Sequence, residues 1–550
     1  MRGRRFKFLI AAAVVVVATA TAGAAIAKMQ AGTLVFAGAA DPTYLDPALV
    51  SDGESFRVTE QMYEGLVKLK PGTITVVPSL ATKWSVAKDG KTWTFTLRKG
   101  VKFHDGSAFN AKAVCTNFNR WFNWTGPFQD ASATYYYQAA FGGFKKNESS
   151  TLSPPLFRSC AAKGTSTAVI KVTRKSGTFL NWLVLQAFAM QSPTAMSRYG
   201  ADQGSLTGGT FKPTGTYAFS HPTGTGPYKF VSWTVGQKVE LAKNAAYWGP
   251  KAKLDRIVIR PIAANTARLQ ALQTGEVNAY DLAAPQDVPS ISGNSSLKVI
   301  KRPAFNVAYV TINSSKAPMT NVLVRRAVAH GLDREAVVKN FYFGTGRVAH
   351  GFLPPGLFGY TDKVTKYPYN PERAKALLRQ AGLTLPVKIE FWYPTAVTRP
   401  YMPDPARNAQ AFAASLENSG FSVDVKSAPW RPDYVAKVND GSAGHLNLIG
   451  WTGDFGDPDN FVGTFFKTFS AQFGWRNNQI QKILQKAEVE PNAKKRTAMY
   501  QTAGILLSKS VPAVPYAHAT PALGAQKRVL NLIATPVGGV WFGGTTVGGQ

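Results

Sequence analysis

The sequence predicts an α/β protein that is divided into more than one domain. At 550 residues the chain is longer than one hydrophobic core usually organises. Segments with strand-type alternation are followed by segments with helical periodicity, and no internal repeat is present. The 49 Gly and 34 Pro residues indicate many turns, which argues against a helical bundle.

The elements in the first half of the chain are predicted from local pattern. Alternation of apolar and polar residues predicts a strand in 91–103, and helical periodicity predicts a helix over 109–124. Residues 126–165 are rich in Gly, Ser, Thr and Tyr and are predicted to form an elaborated loop. A second stretch rich in Gly, Thr and Pro, 203–227, suits a crossing between domains.

The second half continues the alternation. A strand is predicted in 254–262 and a helix in 265–277 that ends at Gly275. A segment with its own strands and helices follows from about 305 to 510. The remainder is predicted to return to turns and short strands.

The first 27 residues have the pattern of an export signal. A basic start is followed by the apolar run "FLIAAAVVVVATATAGAA" and by Ala25-Ile26-Ala27, so the mature chain is predicted to begin near Lys28. The alternative is a retained membrane anchor, although the run is short for a membrane span. The start also resembles a twin-arginine signal, so the export route stays open. Since no cysteine lies near the cleavage site, a lipoprotein is not expected. We expect an exported protein of the periplasm or cell-envelope exterior.

The two cysteines, Cys115 and Cys160, are predicted to form a disulfide. An even pair in an oxidising compartment favours a bond, and two buried free thiols are the alternative.

The formal charge of +32 raises the question of nucleic acid binding. The basic residues are dispersed, with no run longer than three, and no zinc-finger, homeodomain or RNA-recognition pattern is present. We therefore expect no nucleic acid partner, and assign the charge to solubility or to attraction by an anionic surface.

One acidic cluster stands out in this basic chain. The stretch "GWTGDFGDPDNF", residues 450–461, contains Asp454, Asp457 and Asp459 directly after an apolar run. Such a cluster can hold a metal, carry out acid–base chemistry or bind a positively charged ligand. The six histidines lack metal-ligand spacing, Pro458 breaks a calcium-loop pattern, and no nucleophile or phosphate-loop motif is present. We therefore expect no metal or other cofactor and no enzyme activity.

Several stretches together resemble the family 5 extracellular solute-binding proteins of ATP-driven uptake systems, the peptide and nickel binding group. They occur in family order: "QMYEGLVKL" (61–69), "PSLATKWSVAKDGKTWTFTLRKGVKFHDG" (78–106), "GTGPYKF" (224–230), "LDRIVIRPIAANTARLQALQTGEVNAYDL" (254–282), "VRRAVAHGLDREAVVKNFYFGTG" (324–346) and "YNPERAKALLRQAG" (369–382). The long block that contains "LRKGVKFHDG" is specific, whereas a single short block would not be. The likeness is weakest in 126–165.

The resemblance implies a fold and a domain division. The fold is the two-lobed periplasmic-binding-protein fold of the large three-domain type, α/β in class, which closes by a hinge. The implied division is a signal peptide at 1–27, domain I at 28–60, 190–300 and 512–550, domain II at 61–189, and domain III, the opposing lobe, at 301–511.

The resemblance also implies ligand-binding residues. The stretches "GWTGDFGDPDNF" and "TRPYMPDPAR" (398–407) are similar to those of the dipeptide-binding members. There an aspartate at the position of Asp454 pairs with the ammonium group of the peptide, and an arginine at the position of Arg399 pairs with its carboxylate. One anion and one cation at opposite ends of a dry slot measure a zwitterion of fixed length.

Further residues complete the expected site, and each has a structural alternative. Beside Arg399 and Asp454, the expected ligand-binding residues are Trp451, Tyr401, Gly453, Ser51 and Gly53. Trp451 and Tyr401 could instead belong to the core, and Arg399 could be an ordinary surface arginine. Asp457 and Asp459 are expected to be loop-capping residues, because "GDPDN" favours a turn.

The predicted function is therefore that of an exported receptor of an ABC uptake transporter. It captures short peptides, with dipeptides favoured, and delivers them to a membrane permease. We expect it to act as a monomer. The alternatives are a receptor of the same fold for a nickel complex, an opine or a sugar, and, less favoured, an exported enzyme.

Overall fold

The computed structural model describes residues 32–548, except for the side chains of residues 431 and 432. The predicted export signal, 1–27, lies outside the described residues. The strands are β1 (Thr33–Gly38), β2 (Val67–Leu69), β3 (Val76–Pro78), β4 (Ala81–Val86), β5 (Thr92–Leu97), β6 (Phe157–Lys163), β7 (Thr167–Val172), β8 (Gly204–Thr207), β9 (Thr210–Pro213), β10 (Tyr228–Thr234), β11 (Lys238–Lys243), β12 (Arg256–Pro261), β13 (Ala279–Ala283), β14 (Leu297–Lys301), β15 (Asn306–Ile312), β16 (Gly346–Val348), β17 (Val387–Thr395), β18 (Phe421–Pro429), β19 (Leu446–Thr452), β20 (Ala513–Ala519), β21 (Ala522–Gln526), β22 (Val529–Leu530), β23 (Ile533–Ala534), β24 (Val540–Trp541) and β25 (Thr546–Val547).

Helices alternate with these strands. The α-helices are α1 (Gly53–Met62), α2 (Ala111–Phe122), α3 (Ala131–Phe141), α4 (Phe179–Trp182), α5 (Pro193–Arg198), α6 (Tyr217–Ser220), α7 (Asn265–Gln273), α8 (Val288–Gly293), α9 (Val322–Gly331), α10 (Arg334–Tyr342), α11 (Pro371–Gln380), α12 (Pro405–Asn418), α13 (Val435–Asn439), α14 (Val462–Phe466), α15 (Asn478–Val489) and α16 (Ala493–Ser510). Short 3-10 turns cover Pro47–Leu49, Gly126–Gln129, Gln186–Phe188, Pro285–Asp287 and Pro458–Asn460, and a π-turn covers Trp430–Tyr434. The predicted α/β class is confirmed.

The strands form three larger sheets, which we call sheets A, B and C. Sheet A has seven strands in the order β10-β11-β12-β1-β13-β21-β14. Its central strand β1 pairs in parallel with β12 and β13, and the flanking pairs are antiparallel. Alternate residues of β1 enter two apolar clusters, Leu34 and Phe36 on one face and Val35 and Ala37 on the other. Sheet A is therefore covered on both faces.

Sheet B has six strands in the order β16-β20-β15-β19-β17-β18. Every residue of its strand β15 is buried, with Ala308 and Val310 in one apolar cluster and Val307 and Tyr309 in another. A nearly continuous apolar run is what a strand covered on both faces requires. The segment 450–461, which we call the loop 450–461, begins in the last three residues of β19 and continues beyond the carboxyl end of this strand.

Sheet C is antiparallel, with four strands in the order β4-β5-β7-β6. The strand predicted in 91–103 is β5, where Phe95 and Leu97 are buried and alternate with less buried threonines. The helix predicted over 109–124 is α2, and a disulfide joins Cys115 of α2 to Cys160 of β6.

The loop prediction for 126–165 is wrong, because this segment contains a 3-10 turn, helix α3 and strand β6. The side chain of Asp130 caps α3 by accepting a hydrogen bond from the Ser132 N–H, and Phe141 of α3 is buried in the cluster beside sheet C. Similarly, 203–227 is more than a crossing, since it contains the β8–β9 hairpin and α6. Backbone pairing and tertiary packing outweigh the weak local preference of these polar sequences.

Within residues 32–548 the chain crosses between sheets A and B twice, directly after β14 and directly after β20. The crossings lie side by side, with the N–H of Arg302 donating to the carbonyl of Pro521 at 2.8 Å. The Asn306 side chain donates to the Ala519 carbonyl and accepts from the Ala519 N–H, both at 2.9 Å.

The second crossing corrects one predicted domain boundary. The division placed 512–550 with sheet A, but β20 (Ala513–Ala519) pairs with β15 and β16 of sheet B. Only from Ala522 onward does the chain pair in sheet A. The apolar pattern shows that β20 is buried but carries no information on which sheet it joins.

Candidate functional site

Two of the three aspartates in the loop 450–461 are paired with cations. The Asp457 carboxylate accepts from Arg496 at 2.6 and 2.9 Å and from the Asn181 amide at 3.1 Å. The Asp459 carboxylate accepts from Lys467 at 2.8 Å. Asp457 also accepts from the Asp459 N–H and so caps the turn that follows. These two residues hold the loop in shape.

Asp454 has only neutral hydrogen-bond donors among the described residues. Its carboxylate accepts from the Tyr136 hydroxyl at 2.8 Å and from the Asn460 side-chain amide at 3.0 Å. The Asp454 N–H donates to the same Asn460 side chain at 2.7 Å, which fixes the backbone. Burial raises the pKa of Asp454 to about 6, although the two hydrogen bonds act in the opposite direction. An ionised Asp454 is therefore a charge that lacks a counter-ion.

Tyr136 reaches Asp454 from the other side of a cleft. It lies on α3, which packs beside sheet C, whereas Asp454 follows β19 of sheet B. Its ring lies 5.8 Å from the ring of Phe56 in α1. Burial and the Asp454 charge raise the pKa of Tyr136, and the Arg399 charge lowers it. Both predicted ligand-binding charges therefore act on this one phenol.

Other contacts join the same two sides of the cleft. The rings of Trp182 and Phe455 meet edge to face with centroids 4.7 Å apart. The Gly177 N–H donates to the Glu488 carbonyl at 3.1 Å. The cleft is therefore closed beside Asp454.

Arg399 is stacked on aromatic rings. Its guanidinium carbon lies 4.9 Å from the centroid of the Trp430 ring and 5.9 Å from that of Tyr401. Its backbone exchanges hydrogen bonds of 3.2 and 3.0 Å with Met402, so the residue is anchored at its main chain. Within residues 32–548 its Nε is buried without a hydrogen-bond partner, and no ion pair includes it. Arg399 thus has no carboxylate partner in the described part of the chain.

Tyr401 is a packed residue. It is 2% exposed, and its carbonyl accepts from the Tyr342 hydroxyl at 2.7 Å. Its ring lies against Gly450, where an added Cβ would come within 2.5 Å of it. Burial raises the pKa of Tyr401, while the charge and hydrogen bond of Arg399 lower it. Tyr401 therefore connects β19 to Arg399.

Trp451 and Gly453 contact neighbouring side chains that hold the loop 450–461 in place. The Trp451 indole N–H donates to the Asn460 side chain at 3.2 Å, and its ring meets Phe465 edge to face at 5.4 Å. Gly453 is buried, and a Cβ there would lie 2.3 Å from the Phe305 ring. Only glycine fits at position 453 without displacing its neighbours.

Ser51 and Gly53 are exposed, and Gly53 is the first residue of α1. Among the described residues, no hydrogen bond or ring contact joins either to Asp454 or Arg399. The same helix does reach the site through Phe56.

The sequence prediction missed several residues of the site. Tyr136 was missed because it lies in the segment predicted as a loop, although the run "TYYYQ" was an available signal. Asn460 was also missed, although it lies within "GWTGDFGDPDNF" itself. Trp430, the first residue of the π-turn, is the third residue that was missed. No group of three or more His, Cys, Asp or Glu residues suited to a metal ion occurs in residues 32–548. In the same range, no helix combines the length and apolar character of a membrane crossing.

Comparison with known proteins identifies relatives that match this chain over most of its length. Residues 75–473 match the model of the bacterial extracellular solute-binding proteins, family 5. The chain is 31% identical to the dipeptide-binding protein of Escherichia coli, over 93% of this chain and 94% of that protein. It is 30% identical to heme-binding protein A of Haemophilus influenzae, over 94% and 93% of the two chains. Among solved structures, the ABC transporter-associated periplasmic binding protein DppA from Helicobacter pylori, in complex with the peptide STSA, superposes with a TM-score of 0.78 at 28% identity. That match covers 94% of this chain and 98% of the other.

Proposed function

Since the chain belongs to the family 5 bacterial extracellular solute-binding proteins, we propose that it captures short peptides and delivers them to the permease of an ABC uptake transporter. The family and these relatives are binding proteins, and the proposal is a binding function outside the cell membrane with no chemical step. The receptor works as a monomer, and its protein partners are the membrane-embedded permease subunits.

The observation that carries the proposal is the unpaired carboxylate of Asp454. A carboxylate without a cation in a partly dry cleft is unfavourable, and its pKa is accordingly raised to about 6. The neighbouring Asp457 and Asp459 have their own cations, so the loop itself supplies none for Asp454. A ligand ammonium would supply the missing charge, with a short charge-assisted hydrogen bond.

Tyr136 and Asn460 pre-orient this carboxylate. Each donates to a different oxygen of Asp454, so a lone pair on each oxygen stays available for a ligand. Because Tyr136 belongs to the opposite side of the cleft, a ligand bound at Asp454 touches both sides. Binding and closure of the cleft are thereby coupled.

Arg399 provides the second charge of the proposed site. Stacking on Trp430 holds the guanidinium without neutralising it, so the N–H groups that Tyr401 does not use stay available to bind a carboxylate. A dipeptide zwitterion presents an ammonium group and a carboxylate a fixed distance apart. The pair Asp454 and Arg399 therefore favours dipeptides over longer peptides.

The direct test is the identity of the bound ligand. Small molecules released by denaturing freshly purified protein would be identified by mass spectrometry, and synthetic dipeptides would be titrated calorimetrically into the emptied protein. Short peptides in the released fraction and saturable dipeptide binding are expected. Release of haem, a nickel complex, an opine or a sugar, together with no heat from any dipeptide, would replace the proposed ligand class. Hydrolysis of the added peptides would instead reveal an enzyme.

A further inference from the structure

A basic cavity lies on the part of the molecule built around sheet B. It has a volume of about 520 Å³ and is formed by the beginnings of α9 and α15, the end of α16 and the adjoining loops. No residue of the loop 450–461 lines it, nor does Arg399. The cavity is therefore separate from the proposed peptide site.

Four residues of its wall are cationic, namely Arg325, Arg326, Arg476 and Lys509. No lining residue is acidic, and none of the ion pairs formed within residues 32–548 involves any of the four. Four clustered cations without a carboxylate repel one another, and the arrangement attracts anions.

Arg325 is held rigidly by neutral acceptors. It is 8% exposed and donates to the carbonyls of Met319 at 2.8 Å, Thr320 at 3.0 Å and Ser510 at 3.0 and 3.2 Å. Burial and the neighbouring Arg326 charge both lower its pKa. Its position is therefore fixed by hydrogen bonds, while its charge stays uncompensated.

The other wall residues have unused hydrogen-bonding capacity. Arg326 donates one N–H to the Lys509 carbonyl at 3.3 Å, whereas its Nε has no partner among the described residues. The buried hydroxyl oxygen of Ser314, which is also in the wall, likewise has no hydrogen-bond partner among the described residues. The guanidinium carbon of Arg476 lies 5.2 Å from the centroid of the Phe469 ring, a contact that preserves its charge.

We propose that this cavity is a binding site for a phosphate-type oxyanion, held by Arg326, Arg476 and Lys509 over the fixed charge of Arg325. Guanidinium forks match the geometry of phosphate oxygens, and the N-terminal ends of α9 and α15 in the wall add positive potential, which the carboxyl end of α16 opposes only in part. A cavity of about 520 Å³ is larger than one phosphate group needs, so it suits a diphosphate or the headgroup of an anionic phospholipid.

The first arm of the test measures binding of free pyrophosphate. Isothermal titration in a low-salt buffer would compare the parent protein with Arg326→Gln, Arg476→Gln and Lys509→Gln. We expect saturable binding that weakens as salt is added and that falls at least tenfold in each variant, since each loses one charge-assisted contact. Lys112→Gln removes an exposed charge of α2, far along the chain, and serves as the matched control.

The second arm separates free phosphates from a lipid source. Sedimentation with phosphatidylglycerol vesicles, against phosphatidylcholine vesicles, would use the same variants. Pyrophosphate binding alone assigns the site to soluble phosphates, and vesicle binding that the three variants reduce assigns it to a lipid headgroup. Absence of both, or binding that Lys112→Gln reduces as much as the three variants do, overturns the proposal. Unchanged thermal unfolding and unchanged peptide titration would show that each variant is folded. If the parent protein binds no peptide, the proposed peptide function fails, but the oxyanion site is unaffected.

Discussion

Asparagine at position 454 keeps the shape of the side chain and removes its charge. In the structure two neutral donors reach different oxygens of Asp454; in the variant the Asn oxygen can accept from the Asn460 amide, and the Asn amide can donate to the Tyr136 hydroxyl oxygen. The substitution should therefore weaken binding of the ligand ammonium and change the local fold little. Truncating one partner of a desolvated charge pair typically costs about 2–5 kcal/mol, which is roughly 30-fold to several-thousand-fold in affinity. Because Asp454 is only partly buried, we expect the lower end of that range.

Arg399→Met provides the complementary perturbation. Methionine retains apolar contact with the Trp430 ring and removes the guanidinium charge. For a free dipeptide we expect a loss of similar size, about 2 kcal/mol or roughly 30-fold. A dipeptide with an amidated C-terminus lacks the carboxylate, so the same substitution should change its affinity much less. Asp454→Asn should weaken both ligands alike.

Calorimetric titration of both ligands into the parent and the two variants completes this comparison. Asp424→Asn and Arg407→Met, whose side chains are 62% and 67% exposed, remove the same charges at the surface and should bind like the parent. Equal loss for both ligands in Arg399→Met would reduce Arg399 to a structural residue. Unchanged affinity of both ligands in Asp454→Asn would refute the assignment of the ammonium site.

Three further predictions rest on separate features. Because the Asp454 pKa is about 6, protons compete with the ligand ammonium, and dipeptide affinity should fall about tenfold from pH 7 to pH 5 in the parent but stay level in Asp454→Asn. The free energy of unfolding without ligand should change in the opposite sense, falling as pH rises through about 4 to 6; a level profile in both measurements would contradict the raised pKa. Thiol titration of the unfolded, unreduced protein should find no free thiol, and reduction of Cys115–Cys160, which closes a separation of 45 residues, should lower the free energy of unfolding by about 4 kcal/mol; two titratable thiols would exclude the bond. Finally, Asp457→Ala leaves the Arg496 charge without its buried partner. Denaturant unfolding should show the free energy of unfolding lowered by about 3–5 kcal/mol, whereas a decrease below about 1 kcal/mol would mean that the pair adds little to stability.

Elements with a strong local pattern could be predicted from the sequence. The alternation in 91–103 located β5, and the periodicity in 109–124 located α2. Helix α3 was missed because its polar composition resembles a loop, while its stability comes from the Asp130 cap and from burial of Phe141 against distant residues. Strand β20 was detectable as apolar, but its pairing with β15 depends on backbone contacts that sequence pattern does not encode.

The site shows the same limit at the level of single side chains. Asp454, Asp457 and Asp459 lie within six positions, and the sequence alone could separate them only through turn chemistry and a family resemblance. What distinguishes them is whether the partner of each carboxylate is charged, which the turn sequence does not specify. Asp457 meets Arg496, whereas Asp454 meets Tyr136, 318 positions away. Partner identity at that separation is a property of the folded chain.

In the proposed receptor, the neutral partners of Asp454 make closure of the cleft favourable only when a ligand is bound. Without ligand, closing the cleft brings the Tyr136 phenol onto Asp454 and surrounds an ionised carboxylate with groups that do not neutralise it. That penalty favours the open form. A ligand ammonium neutralises the carboxylate inside the closed cleft, and the Tyr136 hydrogen bond then adds to closure at no electrostatic cost. A lysine or arginine in place of Tyr136 would neutralise Asp454 permanently and so stabilise closure without ligand. A phenol satisfies the hydrogen bond and leaves the charge to be matched by the ligand, which makes closure conditional on the cargo.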